Sequence, residues 1–285
     1  MTKGQRSGSV MGSPRAGGEL RGIVAAVSDL GRNRSNNEDN LVIFDLQART
    51  SVPLGPETQF AFAHPGVLLA VADGMGGHSS GQVASQLCVE RLPVEFLKVF
   101  PASAAAEPER GMALKQAVEA TNQVVYASAH ENAANKGMGT TLTSAWLVGS
   151  RAIVAQVGDS RAYHLHEGSF TQLTRDQTVL NSVSEVERQA LLNTPFENML
   201  LQALGAMTQL DVVITTTELA AGDYLLLCSD GLYRVVSPEQ MAEVLKGPEP
   251  LRKKAENLIQ KANDGGGPDN ITVILCEVLT RGAAE

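Results

Sequence analysis

Apolar residues in the first half of the chain form three short runs and then two long segments of helical periodicity. The runs at 22–28, 40–46 and 67–72 are β-branched or apolar and end at turn residues, which predicts strands. From 80 to 100 and from 112 to 132, apolar side chains recur at every third or fourth position. These two segments are therefore predicted to be amphipathic helices.

Beyond Gly139 the apolar runs become short and closely spaced. Four strands are predicted in this part, at 140–148, 152–157, 162–166 and 169–173. Because the connections between them are so short, we expect an antiparallel meander. The polar segment 176–198 contains Pro195 and predicts a helical excursion or a mobile loop.

The last third of the chain again mixes strands with helices. Strands are predicted at 212–217, 224–229 and 271–279, and helices at 238–245 and 251–263. Ser237 is a suitable N-cap for the first of these helices, and Pro238 suits its first turn. Since strands and helices lie in separate blocks, the pattern predicts an α+β layered sandwich.

The composition is that of a soluble globular protein, with 285 residues, 43% of them hydrophobic, and a net charge of -8. It predicts no membrane span, since no apolar run approaches the roughly 18 residues that a span needs. The acidic balance and the lack of a Lys/Arg run argue against nucleic-acid binding. We expect a disordered leader at 1–21, without a secretory signal, one domain at 22–281 and a tail at 282–285.

The three cysteines are odd in number, lie far apart and form no CxxC pair. They therefore predict buried free thiols rather than disulfides, and a cytoplasmic protein.

Five acidic motifs follow predicted strands or lie close to their ends. They are Glu38-Asp39, Asp73-Gly74, Asp159-Ser160, Asp230-Gly231 and Asp269-Asn270. If the strand ends converge, these carboxylates repel one another unless cations neutralise them, and a set of oxygens alone suits Mg²⁺ or Mn²⁺. The alternative for any single motif is an ordinary turn, because Asp before Gly is common turn chemistry.

Seven segments, taken in order, resemble the protein phosphatase 2C family in its bacterial form. They are SDLGRNRSNNEDN (28–40), VADGMGGHSSGQVAS (71–85), GMGTTL (137–142), VGDSRAY (157–163), LTRDQT (173–178), LLLCSDGL (225–232) and GGGPDNITVI (265–274). The resemblance covers nearly the whole chain, from about 22 to 278. It implies a four-layer α-β-β-α sandwich of two antiparallel sheets flanked by helices.

The same resemblance implies the activity. Members of the family are metal-dependent phosphatases that act on phosphoserine and phosphothreonine in proteins, and two Mn²⁺ or Mg²⁺ ions activate the attacking water. The implied partners are phosphorylated proteins and a cognate serine/threonine kinase that the enzyme opposes.

The motifs also imply metal ligands, with Asp39, Asp73 and Asp230 as the catalytic carboxylates. Asp73 would bridge the two ions, and Asp230 and Asp269 would complete one site. The other site would use the carbonyl of Gly74 with either Glu38 or Asp39, a choice that the sequence leaves open. A third, weaker ion would bind Asp159 and share Asp230.

Arg34 lies four residues before Glu38, where the family places the arginine that holds the substrate phosphate. A guanidinium group matches phosphate oxygens with two parallel hydrogen bonds. Arg32 is the alternative by charge alone.

Two departures concern histidines. Met75 replaces a histidine that many eukaryotic members of the family use to protonate the leaving group, so His78 is weighed as a displaced acid against a simple turn residue. His164 and His166 lie two apart on a predicted strand and would point from one face. They are predicted to be a surface pair rather than metal ligands.

Other functions left open are a phosphoprotein-binding pseudophosphatase, a small-molecule phosphomonoesterase, a metal-binding structural domain and a regulator whose partner domain lies on another chain.

Overall fold

The computed structural model describes residues 19–76, 80–100, 106–192, 194, 196 and 198–280. Residues 1–18 of the predicted leader, His78 and the predicted tail 282–285 lie outside this part of the chain. Leu20 and Arg21, which were assigned to the leader, already belong to the first strand.

The described residues form thirteen strands. In chain order they are β1 (Leu20–Asp29), β2 (Asp39–Asp45), β3 (Thr50–Ser51), β4 (Thr58–Ala61), β5 (Val67–Met75), β6 (Gly139–Thr140), β7 (Leu142–Val148), β8 (Arg151–Val157), β9 (Arg161–His166), β10 (Ser169–Gln172), β11 (Val213–Glu218), β12 (Tyr224–Cys228) and β13 (Ile271–Thr280). One sheet has the order β10-β9-β12-β13-β1-β4, and the other has the order β11-β8-β7-β5-β2-β3, with β6 paired to β5. Neighbouring strands are antiparallel in both sheets.

Seven α-helices occur in the same part of the chain. They are α1 (Ser80–Val99), α2 (Glu107–Glu131), α3 (Val179–Ser182), α4 (Glu185–Leu191), α5 (Asp230–Tyr233), α6 (Pro238–Lys246) and α7 (Leu251–Asp264), and a 3₁₀ turn follows α2 at Ala133–Asn135. The side chain of Ser237 caps α6 as predicted, accepting a hydrogen bond from the Gln240 N–H. None of these helices is both long enough and apolar enough to cross a bilayer.

Apolar side chains fill three layers, so the predicted α-β-β-α sandwich is confirmed. One layer lies between the two sheets and includes Leu69 and Ile274. A second lies between the β5-containing sheet and helices α1 and α2, where Phe96 meets Trp146 edge to face at 5.1 Å. The third lies under α6 and α7, on the outer face of the other sheet, and includes Leu258.

Strand β5 shows why the central strands are continuously apolar. Its residues alternate between two layers, with Leu68 and Ala70 facing the helices and Leu69 and Val71 facing the other sheet. A strand that is covered on both faces needs apolar residues at every position.

The prediction of one antiparallel meander over 140–173 is wrong. Strands β7 and β8 pair in one sheet, whereas β9 and β10 pair in the other. The chain crosses between the sheets at 158–160, where Gly158 has a φ of +94°. A short connection fixes the proximity of two strands, but it does not place them in one sheet. Strands β3, β4 and β6 and helix α5 were not predicted, because each is only two to four residues long.

Candidate metal centre

Two neighbouring strands, β2 and β5, bring the first acidic pair together. Asp39 begins β2 and lies directly opposite Asp73 near the end of β5. The backbone here is fixed on both sides, since the Gly74 N–H donates to the Glu38 carbonyl at 3.1 Å and the Thr141 N–H donates to the Asp73 carbonyl at 2.9 Å. Two carboxylates thus lie opposite each other at one end of a pair of hydrogen-bonded strands.

The other sheet supplies the second acidic pair. Asp230 follows β12 and begins α5, and Asp269 lies just before β13, which is the neighbour of β12. Asn270 connects this edge to the loop before β2: its Nδ2 donates to the Leu30 and Asn36 carbonyls at 2.9 and 3.0 Å, and its Oδ1 accepts from the Glu38 N–H at 2.8 Å. Asn270 therefore positions Glu38, a role that its place in the GGGPDN motif did not reveal.

A cavity of ≈ 260 Å³ lies where these strand ends of the two sheets meet. Of the residues predicted for the site, its walls contain Arg34, Glu38, Asp73, Gly74, Asp159, Asp230 and Asp269. Asn198 and Leu200, which follow α4, also line it. Asp39 lies behind this wall and is 5% exposed. All seven wall residues and Asp39 thus occupy one region, although they come from both sheets.

Asp39 and Asp230 each keep one buried oxygen without a hydrogen-bond partner among the described residues. The Ser229 hydroxyl donates to Oδ2 of Asp39 at 2.6 Å, while Oδ1 of Asp39 and Oδ1 of Asp230 are unpaired. A buried carboxylate oxygen that accepts nothing is costly. Such lone pairs fit a cation, and a donor set of carboxylates and a backbone carbonyl fits Mg²⁺ or Mn²⁺.

Burial and mutual repulsion raise the pKa values of the clustered carboxylates. Burial, with a smaller contribution from the charge of Asp230, raises the pKa of Asp39 to about 7 and that of Asp159 to about 6. Burial raises the pKa of Asp73 as well, followed by the charges of Asp39 and Asp230. Protons or cations must therefore neutralise the cluster at neutral pH.

Close packing around Gly74 brings the start of helix α1 against the end of strand β5. A Cβ atom on Gly74 would lie 2.2 Å from the Gly81 carbonyl oxygen and 2.6 Å from the Glu38 carbonyl oxygen. A Cβ atom on Gly81 would lie 2.7 Å from Oε2 of Glu38. Only glycine fits at either position, so both residues let Glu38 and the Gly74 backbone approach the cavity.

Asp159 lies in the crossover between the sheets and contacts two side chains that the sequence did not predict. The Tyr233 hydroxyl donates to its Oδ2 at 3.2 Å. Nη2 of Arg234 lies 2.8 Å from Oδ2 of Asp230 and 3.4 Å from Oδ2 of Asp159. A fixed positive charge therefore contacts the two carboxylates that were predicted to share a third ion.

Arg34 lies at the mouth of the cavity and is half exposed. Its Nη2 donates to Oδ2 of Asp269 at 2.6 Å, and this hydrogen bond raises the pKa of the guanidinium. Arg32, the alternative, is not among the described residues that line the cavity, and its backbone N–H donates to the Gly267 carbonyl at 2.8 Å. Of the two arginines, Arg34 is therefore the one placed to contact a group in the cavity.

The comparisons with known proteins agree with this geometry. A family model described as protein phosphatase 2C matches residues 57–273. The serine/threonine phosphatase stp of Listeria welshimeri is 37% identical over 253 residues, covering 88% of this chain and 93% of its own length.

Two solved structures are similar over most of their length. The S. agalactiae serine/threonine phosphatase has a TM-score of 0.77 and 30% identity, and the match covers 90% of this chain and 99% of the other. The catalytic domain of the serine/threonine protein phosphatase PstP, in complex with two manganese ions, has a TM-score of 0.71 and 36% identity, covering 91% and 99%.

Proposed function

Because the chain belongs to the protein phosphatase 2C family and is a protein-serine/threonine phosphatase, we propose that it hydrolyses phosphoserine and phosphothreonine in proteins with two Mn²⁺ or Mg²⁺ ions. One observation carries the proposal. Carboxylates at strand ends of both sheets converge on one cavity. Two of the carboxylates around this cavity keep unpaired buried oxygens, and an arginine lies at its mouth.

We assign the ions to Asp73, Asp230 and Asp269 for one site, and to Asp73, the Gly74 carbonyl and Glu38 for the other. Glu38 is preferred to Asp39 as a direct ligand because Glu38 lines the cavity, whereas Asp39 lies behind it against Ser229. Asp39 then acts as a buried negative charge, and nearby ions would compensate its unpaired Oδ1 electrostatically rather than through a direct bond. Ions held there would supply Lewis acidity and lower the pKa of a water molecule.

The other residues bind and orient the substrate. Arg34 holds the phosphate at the mouth of the cavity. Met75 lines the same cavity and has no proton to donate, so water supplies the proton that the leaving hydroxyl group requires.

Arg234 supports a centre of two ions rather than three. Its guanidinium group contacts both Asp159 and Asp230, and so provides the positive charge that a third ion would bring. Asp159 in this proposal positions Arg234.

We further propose that the enzyme opposes a serine/threonine kinase in the cytoplasm. The buried free thiols of Cys88, Cys228 and Cys276 support a reducing compartment.

A substrate panel tests the proposed function. In the presence of Mn²⁺ we expect phosphate release from a phosphothreonine peptide, and much slower release from a phosphotyrosine peptide of the same sequence and from a sugar phosphate. Fastest turnover of the sugar phosphate would favour a small-molecule phosphomonoesterase. Tight binding of the phosphothreonine peptide without turnover would favour a pseudophosphatase.

Replacing Arg34 with Ala should mainly raise KM, by tenfold or more. A hydrogen bond to a charged group contributes roughly 1.5–3 kcal/mol, and a contact that is equal in ground and transition states changes KM rather than kcat. Steady-state kinetics at saturating Mn²⁺ measures both constants, so that any effect through Asp269 on ion binding is removed. Arg34→Lys should restore only part of the affinity, because an ammonium group is a point charge.

Arg32→Ala is the matched control for this experiment. It removes the same charge two residues away and should leave KM near the wild-type value. A normal KM in Arg34→Ala combined with a raised KM in Arg32→Ala would transfer the phosphate-binding role to Arg32.

A further inference from the structure

Two histidines and an aspartate meet at the end of the sandwich opposite the catalytic cavity. His164 and His166 lie on one face of β9, and Asp223 lies just before β12, the neighbouring strand. Asp230 follows β12 and Asp159 precedes β9, so the two clusters lie at opposite ends of the same strands. At about 3.3 Å per residue, the five steps of β9 separate them by roughly 16 Å.

The three side chains are close enough to share one ion. Nε2 of His164 lies 2.9 Å from Oδ2 of Asp223, and Nδ1 of His166 lies 2.8 Å from Oδ1 of the same carboxylate. Asp223 and His164 are buried, whereas the side chain of His166 is 47% exposed. The prediction of a surface histidine pair is therefore wrong for His164, which faces inward because β11 of the other sheet covers it. Of the three side chains, His166 is the one that solvent reaches.

Neighbouring groups orient these ligands. The Thr217 hydroxyl on β11 lies 3.2 Å from Nδ1 of His164, within hydrogen-bonding distance. This contact orients the imidazole ring of His164 with Nε2 toward Asp223. In the metal-free chain Nε2 of His164 and Oδ2 of Asp223 share a proton at 2.9 Å, and a metal ion bound between them would take the place of that proton. The Ala220 N–H holds Oδ2 of Asp223 at 2.8 Å.

We propose that His164, His166 and Asp223 form a second metal site, selective for a divalent transition-metal ion such as Zn²⁺. Imidazole nitrogens suit Zn²⁺, whereas Mg²⁺ prefers oxygen ligands, so this site differs in selectivity from the all-oxygen catalytic centre. A hydrogen bond from the distal nitrogen of a ligating histidine is the usual outer support of such a site, and Thr217 provides it here. The bound ion would tie β9 and β12 to β11 of the other sheet.

The test uses the full chain in excess Mg²⁺, which occupies the oxygen centre, and adds Zn²⁺ or Co²⁺. We expect one further ion per chain by calorimetry, and visible ligand-field absorption from Co²⁺ of the kind that nitrogen ligands give. His166→Ala should weaken this binding by about a hundredfold or more, and Thr217→Val by about tenfold, as expected for an outer partner. His130→Ala, which removes an exposed histidine at the end of α2, should bind like the wild type.

Phosphatase activity in Mg²⁺ should be unchanged in His166→Ala, which shows that the variant is folded. The proposal is overturned if His166→Ala binds Zn²⁺ with the affinity and stoichiometry of the wild type, because the ion then lies elsewhere. It is also overturned if the wild type binds no Zn²⁺ in excess Mg²⁺, in which case a proton alone joins the histidines to Asp223. Neither result would affect the proposed phosphatase function.

Discussion

Replacing Asp73 with Asn is expected to lower kcat by about a hundredfold or more while the chain stays folded. Asp73 is the centre of the acidic cluster, because the charges of Asp39, Asp230, Asp159 and Asp269 all raise its pKa. Asn keeps the shape of the side chain but removes the charge that would bind both ions, and the loss of one principal electrostatic group costs on this scale. Steady-state kinetics on a phosphothreonine peptide measures the change.

Thermal unfolding of Asp73→Asn distinguishes the loss of a charge from the loss of the fold. Without metal, Asp73→Asn should unfold at the same temperature as the wild type or higher, because one of the mutually repelling carboxylates is gone. Asp264→Asn, an exposed carboxylate at the end of α7, is the matched control and should keep the wild-type kcat. A kcat within a few-fold of the wild type in Asp73→Asn would contradict the ligand assignment.

Removal of divalent ions is expected to abolish turnover completely, and added Mn²⁺ or Mg²⁺ should restore it. Sites built from carboxylates exchange their ions readily, so a chelator followed by desalting should empty them. Elemental analysis after Mn²⁺ is returned should find two ions per chain, since the guanidinium group of Arg234 already lies against Asp159 and Asp230, where a third ion would bind. Activity that persists in protein shown to be free of metal would contradict the proposed chemistry.

The number of ions has its own control. Asp159→Asn should leave the count at two, because in the proposed centre this residue pairs with Arg234 rather than with an ion. A count of three in the wild type that falls to two in Asp159→Asn would restore the third site and displace Arg234 from its proposed role.

Much of the fold could be predicted from local pattern. Buried strands such as β5 are apolar throughout, and α6 carries its own cap in Ser237. Which sheet a strand joins could not be predicted, because β8 and β9 are three residues apart yet belong to different sheets. That choice depends on what covers each face of the strand, and a local window contains no information on it.

For the candidate site, too, some residues could be predicted from the sequence and others could not. The acidic residues were found because each lies in a short motif near a strand end. Ser229 and Asn270 are part of such motifs, but their hydrogen bonds to Asp39 and Glu38 span 190 and 232 residues of the chain. Arg234 gave no signal at all, since an arginine after a turn is usually solvated. Partners of this kind become visible only when the two sheets are in place.

The division of the cavity between the two sheets has a consequence for genetic screens. Asp73 belongs to one sheet and Asp230 follows a strand of the other, so their separation is set by the side chains packed between the sheets, such as Leu69 and Ile274. Catalytic groups displaced by about 1 Å can lose about a hundredfold in rate. A selection for loss of phosphatase activity would therefore recover interior positions far from the cavity, in chains that remain folded and abundant. Residues of that kind set the alignment of the enzyme, and a map of inactive alleles would trace the interface between the sheets as clearly as the cavity itself.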